Sequence, residues 1–88
     1  MRIERQARSQ QSWQARMAVA EQRFKDAQER AQAASLAAAS RHLEAARLHD
    51  RVAQALAGRG DIEGAERHRR AARVERKLSA QNSAADPG

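Results

Sequence analysis

The sequence predicts an all-α protein: a long N-terminal helix over residues 2–57 and a shorter antiparallel helix over about 61–79, forming a helical hairpin or coiled coil. Three observations predict it. Residues 2–57 contain neither Gly nor Pro, the two residues that most often interrupt a helix. Ala, Arg, Gln and Glu, all strong helix formers, dominate the composition. Gly58-Arg59-Gly60 followed by Asp61 then reads as a helix stop and an immediate restart, with glycines able to take positive φ and Asp61 as the N-cap.

Within the first helix, Trp13, Met17, Ala20, Phe24, Ala27, Ala31, Ala34 and Ala38 follow 4-3-4-3 spacing. That spacing is the signature of a coiled-coil seam. The pattern resumes as Ala45, Leu48, Val52 and Ala55/Leu56, read here as a shifted phase. The slip falls in Ser35–Arg41, where one helix with a bend is expected and two helices with a short break are the alternative. Acid-first i,i+4 pairs at Glu4–Arg8, Glu21–Lys25, Asp26–Arg30, Glu63–Arg67 and Glu66–Arg70 suit exposed helical faces.

The second helix opens with Glu63 and Glu66 and carries Arg67, Arg69, Arg70, Arg73, Arg76 and Lys77 later, an order that complements the helix dipole. Its expected inner stripe is Ile62, Ala65, His68, Ala71/Ala72, Val74 and Leu78. The short turn makes the helices antiparallel neighbours. Residues 1–79 are read as one hairpin domain and 80–88, which lack periodicity, as a disordered tail.

Composition narrows the function classes. Of 88 residues, 41% are hydrophobic, but 22 are Ala and 14 are larger, too few to expect a stable lone monomer. A second helix of about 18 residues reaches only the last third of the first, so the Trp13–Ala38 seam finds no partner within the chain. A homodimer, or a different protein partner on the N-terminal helix, covers it. Two long helices pairing antiparallel, each end capped by a hairpin, would make a four-helix-like assembly.

The stretch Leu48–Lys77 resembles a single tetratricopeptide-repeat hairpin. Ala53, Gly60-Asp61, Ala65 and Ala72 stand where that family places its small residues and its turn. Arg69 departs from the family's aromatic and Lys77 from its closing Pro. The resemblance covers about a third of the chain, with no second copy, so it implies a helical hairpin used for protein contacts and no concave groove.

Chemistry-bearing residues are sparse. There is no Cys, no Gly-rich phosphate loop and no core large enough for a pocket, so no catalytic site, cofactor or small-molecule substrate is expected. Among His42, His49 and His68, the last two fall at similar heights on the two helices. With a carboxylate from Asp50 or Glu66 they suggest a metal site. Lacking the paired Glu-x-x-His of helical carboxylate centres, they read instead as hydrogen-bonding residues flanking a thin interface, or a pH-sensitive contact, with no metal.

The net charge is +6. Arg2, Arg5 and Arg8, with Arg67, Arg70, Arg73 and Lys77, are the alternative, a salt-dependent nucleic-acid contact. Against it, Trp13 and Phe24, the only aromatics, fall on the seam and leave no stacking platform. The seam is too Ala-rich to insert into a membrane and no apolar run reaches spanning length. These features, with the absence of Cys and of an N-terminal signal core, suit a cytoplasmic protein. The expected function is non-catalytic protein–protein interaction or assembly through a coiled-coil face, with self-association.

Overall fold

The computed structural model describes residues 2–84. It contains two helices, α1 (Arg2–Gly58) and α2 (Ile62–Ala84), and no strand among the described residues. The single continuous first helix expected is found; the break at 35–41, its alternative, does not occur. The chain divides into two units at Ala31/Gln32. The first is helix alone, and all of its described side chains are exposed except Asp26. The second is the hairpin.

The turn follows the residues that write it. Gly60 has φ +85°, the left-handed conformation that a side chain resists. The Gly60 N–H donates to the Ala57 carbonyl and the Asp61 N–H to the Leu56 carbonyl, at 3.0 and 2.9 Å. That pair of bonds is a Schellman cap, which satisfies carbonyls the ending helix would otherwise leave open. Asp61 then begins α2, its Oδ1 accepting the Gly64 N–H at 2.9 Å. A methyl group at Gly64 would collide with the Asp61 carboxylate in this position.

The hairpin core is made of small and polar residues. Ala39, Ala46 and Ala53 on α1 and Ala65, Ala72 and Ser79 on α2 are buried, each set stepping by seven. Half-buried residues alternate with them at 3-4 spacing: Ser35, His42, His49 and Leu56 on α1, and His68, Glu75 and Asn82 on α2. Three contacts fix the antiparallel register: His49 to His68, His42 to Glu75, and the Ser79 hydroxyl donating to the Ala39 carbonyl at 2.8 Å. This register sets Ala46 opposite Ala72 and Ala53 opposite Ala65. With a methyl as the largest buried group in these layers, the backbones can approach closely, which is what lets a serine hydroxyl reach the opposite main chain.

Several sequence-based expectations need correction. The stripe of α1 that meets α2 is Ala46, His49, Ala53 and Leu56; of the expected Ala45, Leu48, Val52 and Ala55/Leu56, Leu56 lies on it and the others on the neighbouring stripe. Counted in sevens, Ala45, Leu48, Val52 and Ala55 continue the register of Trp13–Ala38, with Arg41 the one interruption. No phase slip exists in that stripe; the shifted stripe is the one that α2 covers. Leu48 is accordingly 55% exposed. On α2, Ile62 and Val74 are exposed rather than inward, and Glu75, Ser79 and Asn82 replace them.

The second helix also runs five residues beyond its expected end. Residues 80–84 of the expected tail are helical, and 85–88 lie outside the described residues. Ser79 explains part of the extension, since its buried bond to α1 ties the helix down where fraying was expected. Asn82 adds a bond from its Nδ2 to the Leu78 carbonyl at 3.0 Å. As a result Arg67–Lys77 occupies the middle of α2, whose last turn has no basic residue. The dipole therefore does not account for that cluster.

Of the five expected i,i+4 pairs, Glu66–Arg70 alone forms a salt bridge among the described residues. Asp26 instead accepts from Gln22 at 2.9 Å. Glu66 is also reached by Arg73 at 3.3 Å, and Arg76 pairs with Asp50 across the hairpin.

Candidate interaction surfaces and histidine layers

In the first unit, Trp13, Met17, Ala20, Phe24, Ala27 and Ala31 lie on one helical stripe and all are exposed. Trp13 is 58% and Phe24 64% exposed, so most of each ring lacks protein cover. Ala34 and Ala38, the last two expected seam residues, belong to the second unit; Ala34 is exposed and Ala38 half-buried. Within that unit the same register continues through Ala45, Leu48, Val52 and Ala55. Beside the hairpin's buried α2 layer stand Ala71 and Leu78, both half-buried, and the exposed Val74. The apolar surface of the hairpin is therefore on its outside.

The cationic residues are dispersed. Arg5 and Arg8 are exposed in the first unit, and Arg2 has a side chain outside the described residues. Arg67, Arg70, Arg73 and Lys77 are exposed on α2, where 3-3-4 spacing places them on one side. Arg70 and Arg73 are shared with Glu66. Hydrogen bonding from Arg73 holds the Glu66 carboxyl below its ordinary value; partial desolvation opposes this, and the charges of Arg73 and Arg70 reinforce it. Ile62, Glu63, Glu66, Arg67 and Arg70 line an open depression on this side of the helix. It is a shallow surface feature and encloses no reaction space.

The hairpin interior carries two titratable layers. His42 Nδ1 donates to Glu75 Oε2 at 2.5 Å, with both side chains about a quarter to a third exposed. One layer nearer the turn, His49 and His68 meet with Nδ1 atoms 2.9 Å apart, ring centroids 5.1 Å apart and planes at 37°. In that pair one ring donates and the other accepts, so a single proton occupies the contact. Both layers lie between buried Ala and Ser layers, and no buried side-chain nitrogen or oxygen among the described residues lacks a partner.

The height match of His49 and His68 was readable from their distances to the turn. Glu75, Ser79, Asn82 and Ser35 were missed. The signal that could have found them is the seven-residue step Ala65, Ala72, Ser79, and the equal step His68, Glu75, Asn82. Asp50 and Glu66, expected as a possible third ligand, are engaged by arginines. Among the described residues no group of three or more His, Asp or Glu side chains could hold a metal ion.

No protein-family model, curated protein or solved structure matches this chain.

Proposed function

We propose that this chain is a non-catalytic protein–protein interaction or assembly protein that self-associates through the stripe Trp13, Met17, Ala20, Phe24, Ala27, Ala31, Ala34 and Ala38. The observation that carries the reading is the exposure of Trp13 and Phe24 in coiled-coil register. A Trp so placed is a liability on a lone helix and an anchor at a helix–helix seam. Small residues over the rest of the stripe allow close approach of a second helix. A second copy is the chosen occupant because it brings an identical stripe, so each large ring can seat against the other copy's alanines.

No described helix is long and apolar enough to cross a membrane. The Cys-free composition favours a cytoplasmic setting. Sedimentation equilibrium of the full chain tests the proposal. A concentration-dependent dimer or higher oligomer is expected, weakened in Trp13→Ala. A monomer at all accessible concentrations removes it.

A second reading, nucleic-acid binding, is favoured by one finding: Arg67, Arg70, Arg73 and Lys77 are exposed mid-helix, where the dipole gives them no role. Titration with duplex DNA and with RNA at two salt concentrations separates the two readings. Steeply salt-dependent binding supports the second, and no binding at low salt eliminates it.

A further inference from the structure

We infer that His49 and His68 form a two-nitrogen clamp for a first-row divalent cation of the nickel–copper class, bridging the two helices of the hairpin. The pair has what a bidentate site requires and an isolated surface histidine lacks. Its nitrogens come from two separate helices whose register is locked on both sides, by the buried Ala46 and Ala72 layer and by the Ala53 and Ala65 layer. Both rings are half-buried, which leaves an ion a route in and room for water to complete its shell.

The pair as it stands is an N–H···N contact, with Nδ1 to Nδ1 at 2.9 Å, ring centroids 5.1 Å apart and both nitrogens near the line joining the rings. Imidazole nitrogens bind first-row divalent ions at roughly 2.0–2.1 Å, so loading the site turns both rings until their lone pairs converge on one point. The choice of ion follows from the ligands: imidazole suits nickel and copper, toward the high-affinity end of the first-row divalent series.

Charge and protons balance simply. The neutral pair holds one Nδ1–H between the rings. On binding, that proton moves to the donor ring's own Nε2, leaving both Nδ1 lone pairs for the ion and releasing no net proton. The neighbouring carboxylates do not take part: Asp50 is held by Arg76, and Glu66 by Arg70 and Arg73. Water supplies the remaining ligands.

The test uses the full untagged chain and nickel chloride at about pH 7.5, where most histidines are neutral. Because the clamp spans both helices, nickel should raise the thermal midpoint and EDTA should reverse the rise. Calorimetric titration should give one ion per chain. His49→Ala and His68→Ala should each weaken binding at least about tenfold, the loss expected when a chelate keeps one ligand. His42→Ala, one layer away, should retain it. Proton NMR offers a readout independent of variants, since paramagnetic nickel should broaden the ring resonances of His49 and His68 before those of His42. No change in midpoint up to about 1 mM nickel, undiminished binding in either single variant, or first broadening at His42 each overturns the clamp.

Discussion

Residues 3–31 and 32–84 use the same seven-residue repeat with opposite fillings. In the first stretch the repeat holds Trp13, Met17 and Phe24, large side chains that stay exposed. In the second, the repeat that becomes buried or half-buried holds alanines, two serines, histidines, a glutamate, an asparagine and the single leucine Leu56, while Leu36, Leu43, Leu48, Ile62 and Val74 remain outside. A heptad position thus names a face and not its fate. What α2 offers decides the outcome. Its inner stripe is Ala65, Ala72 and Ser79, which fits closely against Ala39, Ala46 and Ala53; side chains as large as Leu in those layers would hold the helices apart.

The contrast can be broken from either side. The largest effect is expected at Trp13. Trp13→Ala should remove an anchor worth about 2 kcal/mol or more, weakening self-association roughly thirtyfold by sedimentation while leaving the hairpin helical. An unchanged association constant would detach the first stretch from any role as an interface.

Reversing the filling of the second stretch comes next. Ala53 has no exposed surface, so Ala53→Leu must separate the helices or distort them. Overpacking of this kind costs about 1–3 kcal/mol, read as a lower midpoint in urea. The same substitution at the exposed Ala27 should change hairpin stability by less than about 0.5 kcal/mol. Equal effects at both sites would mean that the two stretches do not differ as described.

Gly60→Ala tests the turn that makes the second stretch possible. Its left-handed φ should make the change destabilising by about 1–2 kcal/mol, despite alanine's better helix propensity. A stabilised variant would show that Gly60 does not hold this conformation.

The smallest effect belongs to Glu66. Its folded-state carboxyl lies below the ordinary 4.5, so its pairing with Arg73 and Arg70 contributes fully above that pH. The contribution fades as pH falls through the lower, folded-state value. Glu66→Gln should therefore reduce the thermal midpoint slightly at neutral pH and leave it unchanged in strong acid. A larger deficit in acid than at neutrality would contradict the assigned pairing.

The hairpin was largely legible in the sequence because its signals are local. Gly58, Gly60 and Asp61 have few other uses in that order, and the long Gly- and Pro-free stretch before them leaves little but helix. The buried stripe was not legible. Hydrophobic periodicity finds large residues, and here Leu48, Ile62 and Val74 mark the outside. With 22 alanines in the chain, a register written in alanine has almost no contrast against its neighbours. The end of α2 was missed for a related reason: Ser79 and Asn82 are poor helix formers in isolation, and a bond across the hairpin overrides that preference for Ser79. Of the candidate surfaces, the Trp13–Ala38 stripe was readable from large residues in register. The histidine–glutamate layer needed the partner helix's register before His42 and Glu75 could be recognised as neighbours.

Asp61 both completes the cap of α1 and starts α2, so the connection has no slack. The turn then acts as a ruler. Inserting one residue inside α1 after Gln54 would carry the cap and α2 about 100° around the helix relative to Ala39, Ala46 and His49. Ser79 would swing away from the Ala39 carbonyl, and the histidines would lose each other together. Few insertions so small would misalign so many layers, and none of the affected side chains would itself have been altered.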